Sequence, residues 1–162
     1  QLKVELGPEI SKLPQVQGDS IALQKVFRHL LINAVKYTPD GGAIVLAGAE
    51  VAEEDTRFPQ GGVEVIVTDT GIGIDPRYID LIFTKFYQTG DIDLHSSGKA
   101  KFKGGGPGLG LAIVRGIVAA LEGKVWAESL GYDEQKNPGS SFHVVLPCSS
   151  VSTTLYFPPK TK

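Results

Sequence analysis

Two stretches of the chain repeat apolar residues with the spacing of an amphipathic α-helix. In residues 20–37 the apolar positions recur at i, i+3 and i+4, and they are Leu23, Val26, Phe27, Leu30, Leu31 and Ala34. Asp19 is a typical N-cap, and the sequence TPDGG that follows should stop this helix. A second helix is predicted over residues 109–121, with Gly123 as its cap.

Five further segments carry the β-branched and alternating apolar residues that are typical of strands. They are residues 2–6, 43–50, 61–69, 124–129 and 140–147. The polar segment 51–60 is expected to join two of these strands as a hairpin, and Asp75 followed by Pro76 predicts a short helix through about Phe86. This order predicts an α+β fold, a two-layer α/β sandwich with a mixed, largely antiparallel sheet and helices on one face.

Length and composition narrow the class of protein. The chain has 162 residues, 41% of them hydrophobic, and we expect one domain at residues 1–147 followed by a linker or tail at 148–162. Its apolar runs are shorter than the roughly 20 residues of a membrane helix, and a net charge of -2 does not suit nucleic-acid binding. We therefore expect no nucleic-acid partner and no direct membrane insertion. A single cysteine fits the cytoplasm, and the start QLKVEL suggests a piece of a longer protein.

The predicted first helix carries a line of polar residues beside its apolar stripe. At about 100° per residue, His29, Asn33 and Lys36 lie on one side, with Tyr37 at the border. Asn33 offers an amide oxygen for Mg²⁺, Lys36 a point charge for phosphate, and Tyr37 an aromatic wall. An ordinary solvated polar face is the alternative interpretation.

A second candidate lies in VIVTDTGIGI, where a run of β-branched residues ends in Asp69. Gly71 and Gly73 follow, so a buried strand would deliver one carboxylate to its end and then turn tightly. Because a carboxylate only accepts hydrogen bonds, the exocyclic amino group of adenine would suit it. A turn-capping aspartate is the alternative.

The third candidate is the glycine cluster in GGGPGLGLAI. Gly106, Gly108 and Gly110 stand directly before or at the start of the second helix, where backbone N–H groups can converge on a phosphate. The sequence matches neither the Rossmann fingerprint nor the P-loop, and a flexible linker before an ordinary helix is the alternative. The preceding residues 88–106 are poor in apolar residues, which is typical of a functional or disordered loop.

Four segments together resemble a known family. HLLINAVKYTPDGG, DTGIGI, FTKF and GGGPGLGLAI, in this order, are similar to the N, G1, F and G2 boxes of the catalytic ATP-binding domain of sensor histidine kinases. The likeness covers nearly the whole chain. It implies a Bergerat-type α/β sandwich that holds Mg-ATP under a mobile lid. It also implies transfer of the γ-phosphoryl group to a histidine on a separate dimerisation and phospho-acceptor domain, and from there indirectly to a response regulator.

The resemblance implies a role for each matching residue. Asn33 would bind Mg²⁺, Lys36 a phosphate and Tyr37 the adenine ring, and Asp69 would accept a hydrogen bond from the adenine amino group. The residues that would shape the pocket floor and approach the phosphates are Gly71, Gly73, Gly106, Gly108, Leu109 and Gly110.

The lid would comprise residues 87–105. Lys103 would contact the γ-phosphate from it, and Phe83 and Phe86 would anchor its near end. A solvated basic loop and plain core packing are the respective alternatives.

Two positions depart from the family pattern. His29 stands where these kinases usually have a second asparagine and hydrolytic relatives a glutamate; it is a catalytic candidate with Asn33 and Lys36, and metal binding, proton acceptance and plain packing all stay open. Pro107 stands where Thr or Ser is usual, and it removes a backbone N–H. Because none of the histidines has the context of the acceptor helix, the acceptor is expected elsewhere. A regulatory nucleotide-binding module and a hydrolytic ATPase are the alternatives to a kinase.

Overall fold

A computed structural model of the protein describes residues 1–16, 18–87 and 108–148. The strands of this described part are β1 (Lys3–Leu6), β2 (Ala43–Val51), β3 (Gly62–Asp69), β4 (Lys124–Glu128) and β5 (Ser140–Leu146). They form one sheet in the order β1-β2-β3-β5-β4. β1 and β2 are parallel and the other neighbours antiparallel. The antiparallel hairpin between β2 and β3 is as predicted.

One face of the sheet is covered by α1 (Ser20–Tyr37) and α2 (Gly110–Ala120). Asp19 caps α1 as predicted, because its carboxylate accepts hydrogen bonds from the backbone N–H groups of Ile21 and Ala22. The buried core between helices and sheet consists of Val26, Leu30, Ala34, Ile44, Val67, Ile82, Phe83, Val114, Val118, Ala127, Phe142, Val144 and Leu146. The predicted α+β sandwich, with a mixed sheet and helices on one face, is confirmed.

The opposite face of the sheet is partly buried as well. Glu64 of β3 and His143 of β5 are both buried there, and the His143 Nδ1 atom lies 2.9 Å from Glu64 Oε1. The Trp126 ring stacks on the His143 ring at a centroid distance of 4.8 Å, and Arg57 from the β2–β3 connection pairs with Glu64 at 3.3 Å. A buried charge is tolerated when it is paired in this way. This face therefore carries a polar cluster rather than open solvent-exposed strands.

The predicted helix from Asp75 to Phe86 is wrong. The structure has two short 3-10 turns there, Pro76–Tyr78 and Leu81–Phe83. The predicted cap does form, since Asp75 accepts a hydrogen bond from the Arg77 N–H. The segment buries Ile82 and Phe83 in the core between the helices and the sheet. Packing against the core thus overrides the local helix signal.

Candidate functional site

Asp69 ends β3 as a buried carboxylate. Its Oδ1 atom accepts a hydrogen bond from the Gly71 N–H at 2.8 Å, and the side chain and backbone of Ser140 also bond to it. Burial raises the pKa of the Asp69 carboxyl, while these hydrogen bonds to Gly71 and Ser140 oppose that shift. A carboxylate has about four lone-pair sites, so three donors leave capacity for one more. The arrangement can accept a hydrogen bond from a ligand.

The turn after Asp69 requires glycine at two positions. A Cβ atom on Gly71 would lie 2.4 Å from the Tyr37 carbonyl oxygen and 2.6 Å from Asp69 Oδ1. Gly73 has a φ of 76°, and a Cβ atom there would lie 2.0 Å from the Gly131 carbonyl oxygen. The turn therefore packs tightly against the C-terminal end of α1 on one side and the β4–β5 connection on the other.

The polar line on α1 is half-buried. His29, Asn33, Lys36 and Tyr37 all have intermediate exposure. The Lys36 Nζ atom lies 4.8 Å from the centre of the Tyr37 ring, which places a cation over an aromatic face. The Ile72 N–H donates to the Tyr37 carbonyl at 3.2 Å, so the end of this line is joined to the turn after Asp69. The C-terminal end of α1 is therefore hydrogen-bonded to the turn that follows β3.

The start of α2 meets the middle of α1. A Cβ atom on Gly110 would lie 3.2 Å from His29 Nδ1, so the absence of a side chain there makes room for the imidazole. Leu109, the N-cap residue, makes no side-chain capping bond, and the first N–H groups of a helix have no intrahelical acceptor. These donors and the positive end of the helix dipole favour an anion.

Gly108 joins this helix start to the end of the 3-10 segment. Its φ is 67°, and a Cβ atom would lie 2.8 Å from the Tyr87 carbonyl oxygen. The Phe86 N–H donates to the Gly108 carbonyl at 3.1 Å. The described residues on either side of 88–107 are therefore hydrogen-bonded to each other. Gly106, Lys103 and the greater part of the predicted lid fall outside the described residues.

α1 brings these groups together. His29 contacts the start of α2, and Tyr37 contacts the turn after Asp69. Asn33 lies midway, four residues from each, which is about 6 Å along the axis of an α-helix. The turn after the buried Asp69 carboxylate thus contacts the C-terminal end of α1, the start of α2 contacts its middle, and Asn33 lies on the helix between these two contacts. Such a set can accept a hydrogen bond at one end and bind an anion at the other.

Sequence reasoning missed the support of Asp69 from the β4–β5 connection. Ser140 pairs with Asp69 in the β3–β5 register, and the Gly139 N–H donates to the Gly71 carbonyl at 2.8 Å. The sequence NPGSS indicates the turn in this connection, but it does not indicate that the turn contacts Asp69. The long-range strand pairing supplies that information.

It also missed an apolar groove on the opposite side of α1. The residues that line it include Leu23, Phe27, Leu31, Ile32, Val35 and Lys36. Ile32 and Val35 are about half exposed, and their apolar character at i, i+3 on an outward face was the available signal. Lys36 therefore belongs to the polar line and also borders this groove.

Two negative observations complete the geometry. Over residues 1–16, 18–87 and 108–148, no helix is both long and apolar enough to cross a membrane. In the same ranges, no three or more His, Cys, Asp or Glu side chains are grouped so that they could hold a metal ion.

The chain is similar to sensor kinases in sequence. It is 33% identical over 145 residues to cyanobacterial phytochrome A of Nostoc sp., and the match covers 88% of this chain and 16% of that protein. It is 35% identical over 133 residues to the sensor histidine kinase CusS of Escherichia coli O157:H7, with 82% of this chain and 23% of CusS covered. The chain thus spans less than a quarter of these relatives.

Solved structures and a family model lead to the same group. The mycobacterial sensor histidine kinase MprB matches with a TM-score of 0.66 and 30% identity over 91% of this chain and 82% of that one. Full-length ShkA in complex with AMPPNP matches with a TM-score of 0.67 and 26% identity over 95% of this chain and 27% of that one. The model of the histidine kinase-, DNA gyrase B-, and HSP90-like ATPases matches residues 18–150. The chain therefore belongs to this family, as an ATP-binding catalytic domain of the sensor histidine kinase type.

Proposed function

We propose that this domain binds Mg-ATP along the polar side of α1 and donates the γ-phosphoryl group to a histidine. That histidine would belong to a separate dimerisation and phospho-acceptor domain of the same kinase, which would serve a response regulator in turn. The proposal is supported most directly by the two contacts of α1, with the turn after the buried Asp69 carboxylate at its end and with the glycine-rich start of α2 at its middle, and by the position of Asn33 between them. The parent protein would work in the cytoplasm, either soluble or anchored to a membrane.

Adenine is the proposed ligand of Asp69. The carboxylate keeps one acceptor site after bonding to Gly71 and Ser140, and the exocyclic amino group would donate to it. Tyr37 would cover the ring, and Gly71 and Gly73 would keep side chains out of the pocket floor. The free energy of such a hydrogen bond to a charged acceptor is about 1.5–3 kcal/mol.

The phosphates are the proposed ligands of the start of α2. Gly108, Leu109 and Gly110 would present backbone N–H groups there, and Lys36 would supply a positive charge after leaving the Tyr37 ring. Gly106 and Lys103 keep their predicted roles toward the phosphates. These contacts would orient the γ-phosphoryl group and hold it away from water.

The donor set of α1 fits a divalent metal that is bound together with ATP. Asn33 would contribute an amide oxygen, and His29 is half-buried beside it at the helix start that would hold the phosphates. When bound, the metal neutralises charge on the transferred group. His143 would not be the nucleophile, since it is buried against Glu64 on the far face of the sheet.

The test supplies the domain and a separately purified phospho-acceptor domain with γ-labelled ATP. We expect label on histidine, and a loss of about a hundredfold in transfer rate for Asn33→Ala, the range for removing one group that stabilises transition-state charge. Gln24→Ala is the matched control, because Gln24 lies on the groove side of the same helix. Its transfer rate should equal that of the wild type.

The other outcomes assign the alternatives. ATP binding without any label on histidine would contradict the kinase proposal and leave a regulatory nucleotide-binding module. Steady phosphate release by this chain alone, lost in His29→Ala, would instead identify a hydrolytic ATPase.

A further inference from the structure

His29 lies at the end of the proposed site that contacts the start of α2. Its ring lies against Gly110, whose Cβ atom would be 3.2 Å from Nδ1 and 3.9 Å from Cε1. No hydrogen bond or ion pair within the described part of the chain engages this ring. The side chain is half-buried, so it faces the start of α2 with no polar partner among the residues that the structure describes.

The neighbouring donor is of a different chemical kind. Asn33 follows His29 by four residues on α1, and residues at this spacing are neighbours on a helix surface. An amide oxygen is a hard ligand that suits Mg²⁺, whereas an imidazole nitrogen favours transition-metal ions. The pair therefore offers one oxygen and one nitrogen to the same ion.

The other described histidine is already engaged elsewhere. His143 pairs with Glu64 at 2.9 Å and stacks under Trp126 on the opposite face of the sheet. It is also buried, so it is closed to an ion on the helix side. Of the two described imidazoles, His29 is the one that a metal bound near α1 and α2 would meet.

We infer that His29 is a direct metal ligand of the nucleotide site and that it gives the site a preference for transition-metal ions such as Mn²⁺ and Co²⁺ over Mg²⁺. The inference rests on the proposed function, because the remaining ligands would be Asn33 and the phosphates of ATP. ATP has an ion preference of its own. The protein's contribution is therefore the part of the preference that disappears when the imidazole is removed.

The first experiment detects the bond itself. The protein is labelled with ¹⁵N-histidine and loaded with Mn²⁺ and AMPPNP, and the electron spin-echo envelope modulation of Mn²⁺ is recorded. We expect ¹⁵N modulation from a directly bound imidazole. It should be absent in His29→Asn and retained in His95→Asn, a control that removes the histidine outside the described residues. Modulation that persists in His29→Asn and is lost in His95→Asn would overturn the assignment.

The second experiment measures the preference. Dissociation constants of AMPPNP are determined calorimetrically with Mg²⁺, with Co²⁺ and without metal, for the wild type and His29→Asn. We expect the Co²⁺ over Mg²⁺ preference to fall by about tenfold in the variant, the lower end of the effects of altering a metal's surroundings. Metal-free binding should be equal in both proteins, which shows that the variant is folded.

The two proposals fail in different ways. Nucleotide binding with identical ion preference in both proteins, and no ¹⁵N modulation, would refute the role of His29 and leave the nucleotide site intact. A wild type that binds no nucleotide under any of these conditions would refute the proposed function and this inference with it.

Discussion

The Asp69→Asn substitution exchanges one oxygen of a buried carboxylate for an NH₂ group and keeps the shape of the side chain. The remaining oxygen accepts the Gly71 N–H, which lies 2.8 Å from Oδ1 in the wild type. The new NH₂ group must then face Ser140 or the ligand. If it faces the adenine amino group, a donor meets a donor, and a favourable hydrogen bond becomes an unfavourable contact.

The Asp69→Asn substitution should change the free energy of unfolding and the free energy of ATP binding by different amounts. Burial raises the pKa of Asp69, so the protonated carboxyl group favours the folded state at low pH, and this contribution is lost as the pH rises through the folded pKa. At pH 7 the variant loses hydrogen bonds to a charged acceptor but also the cost of burying the charge. We expect its free energy of unfolding to change by less than about 1 kcal/mol. ATP affinity should fall by about 1–3 kcal/mol, which is roughly 5- to 150-fold in Kd.

The assay pairs calorimetric ATP titration with urea denaturation between pH 4 and 7. As the pH rises through this range, the stability of the variant should gain relative to the wild type, because the variant has no carboxyl at position 69 to ionise. Inosine triphosphate, which carries an oxygen in place of the amino group, should lose less affinity than ATP in the variant. Asp55→Asn, in the β2–β3 connection, is the control and should bind ATP normally. An unchanged ATP affinity in Asp69→Asn would refute the role of this carboxylate.

Three further predictions concern residues that stabilise the fold around the site. Gly71→Ala should lower the free energy of unfolding by about 1–3 kcal/mol, because its Cβ atom would lie 2.4 Å from a carbonyl oxygen at the end of α1. Gly116→Ala is its control: outside the backbone of α2 itself, no atom of the described residues lies within 4 Å of that Cβ, and helix propensity should raise stability by up to about 1 kcal/mol in urea denaturation. In Arg77→Ala, carboxyl NMR titration should find the pKa of Asp75 raised from about 2 toward 3.8, so that the stability which this carboxylate contributes above its unfolded pKa becomes smaller. Glu64→Ala should cost about 1–3 kcal/mol in urea denaturation, since it leaves the Nδ1 atom of the buried His143 without its partner at 2.9 Å.

Local patterns predicted the elements that local forces determine. The apolar spacing and the Asp19 cap gave α1 its observed limits, because an amphipathic helix buries its stripe wherever the sheet lies. The same kind of signal at Asp75 and Pro76 failed, although the cap formed, because Ile82 and Phe83 are both drawn into the core. A cap stabilises the first turn of a helix and does not determine whether the helix continues.

In the candidate site, too, features set by local sequence could be predicted, whereas contacts between distant segments could not. Asp69 and its glycines were recognisable from a strand that ends in DTGIG, whereas Ser140 bonds to Asp69 only through the pairing of β3 with β5. Pairing of strands that are distant in sequence depends on the whole sheet, which no local window contains. The contact between His29 and Gly110 is of this kind too, since it joins two helices.

The spacing along α1 explains why these distant pieces form one site. Tyr37 is fixed to the turn after Asp69 and His29 is packed on the start of α2, so two turns of one helix set the distance between the proposed acceptor for the base and the proposed anion site. Val26, Leu30 and Ala34 are fully buried beneath this span, and a close-packed core resists shifts of the helix along its axis. The rigid part of the site is thus α1 itself. A ligand that bridges both ends must match the length between them, and a nucleoside triphosphate has a base at one end and a chain of phosphates at the other.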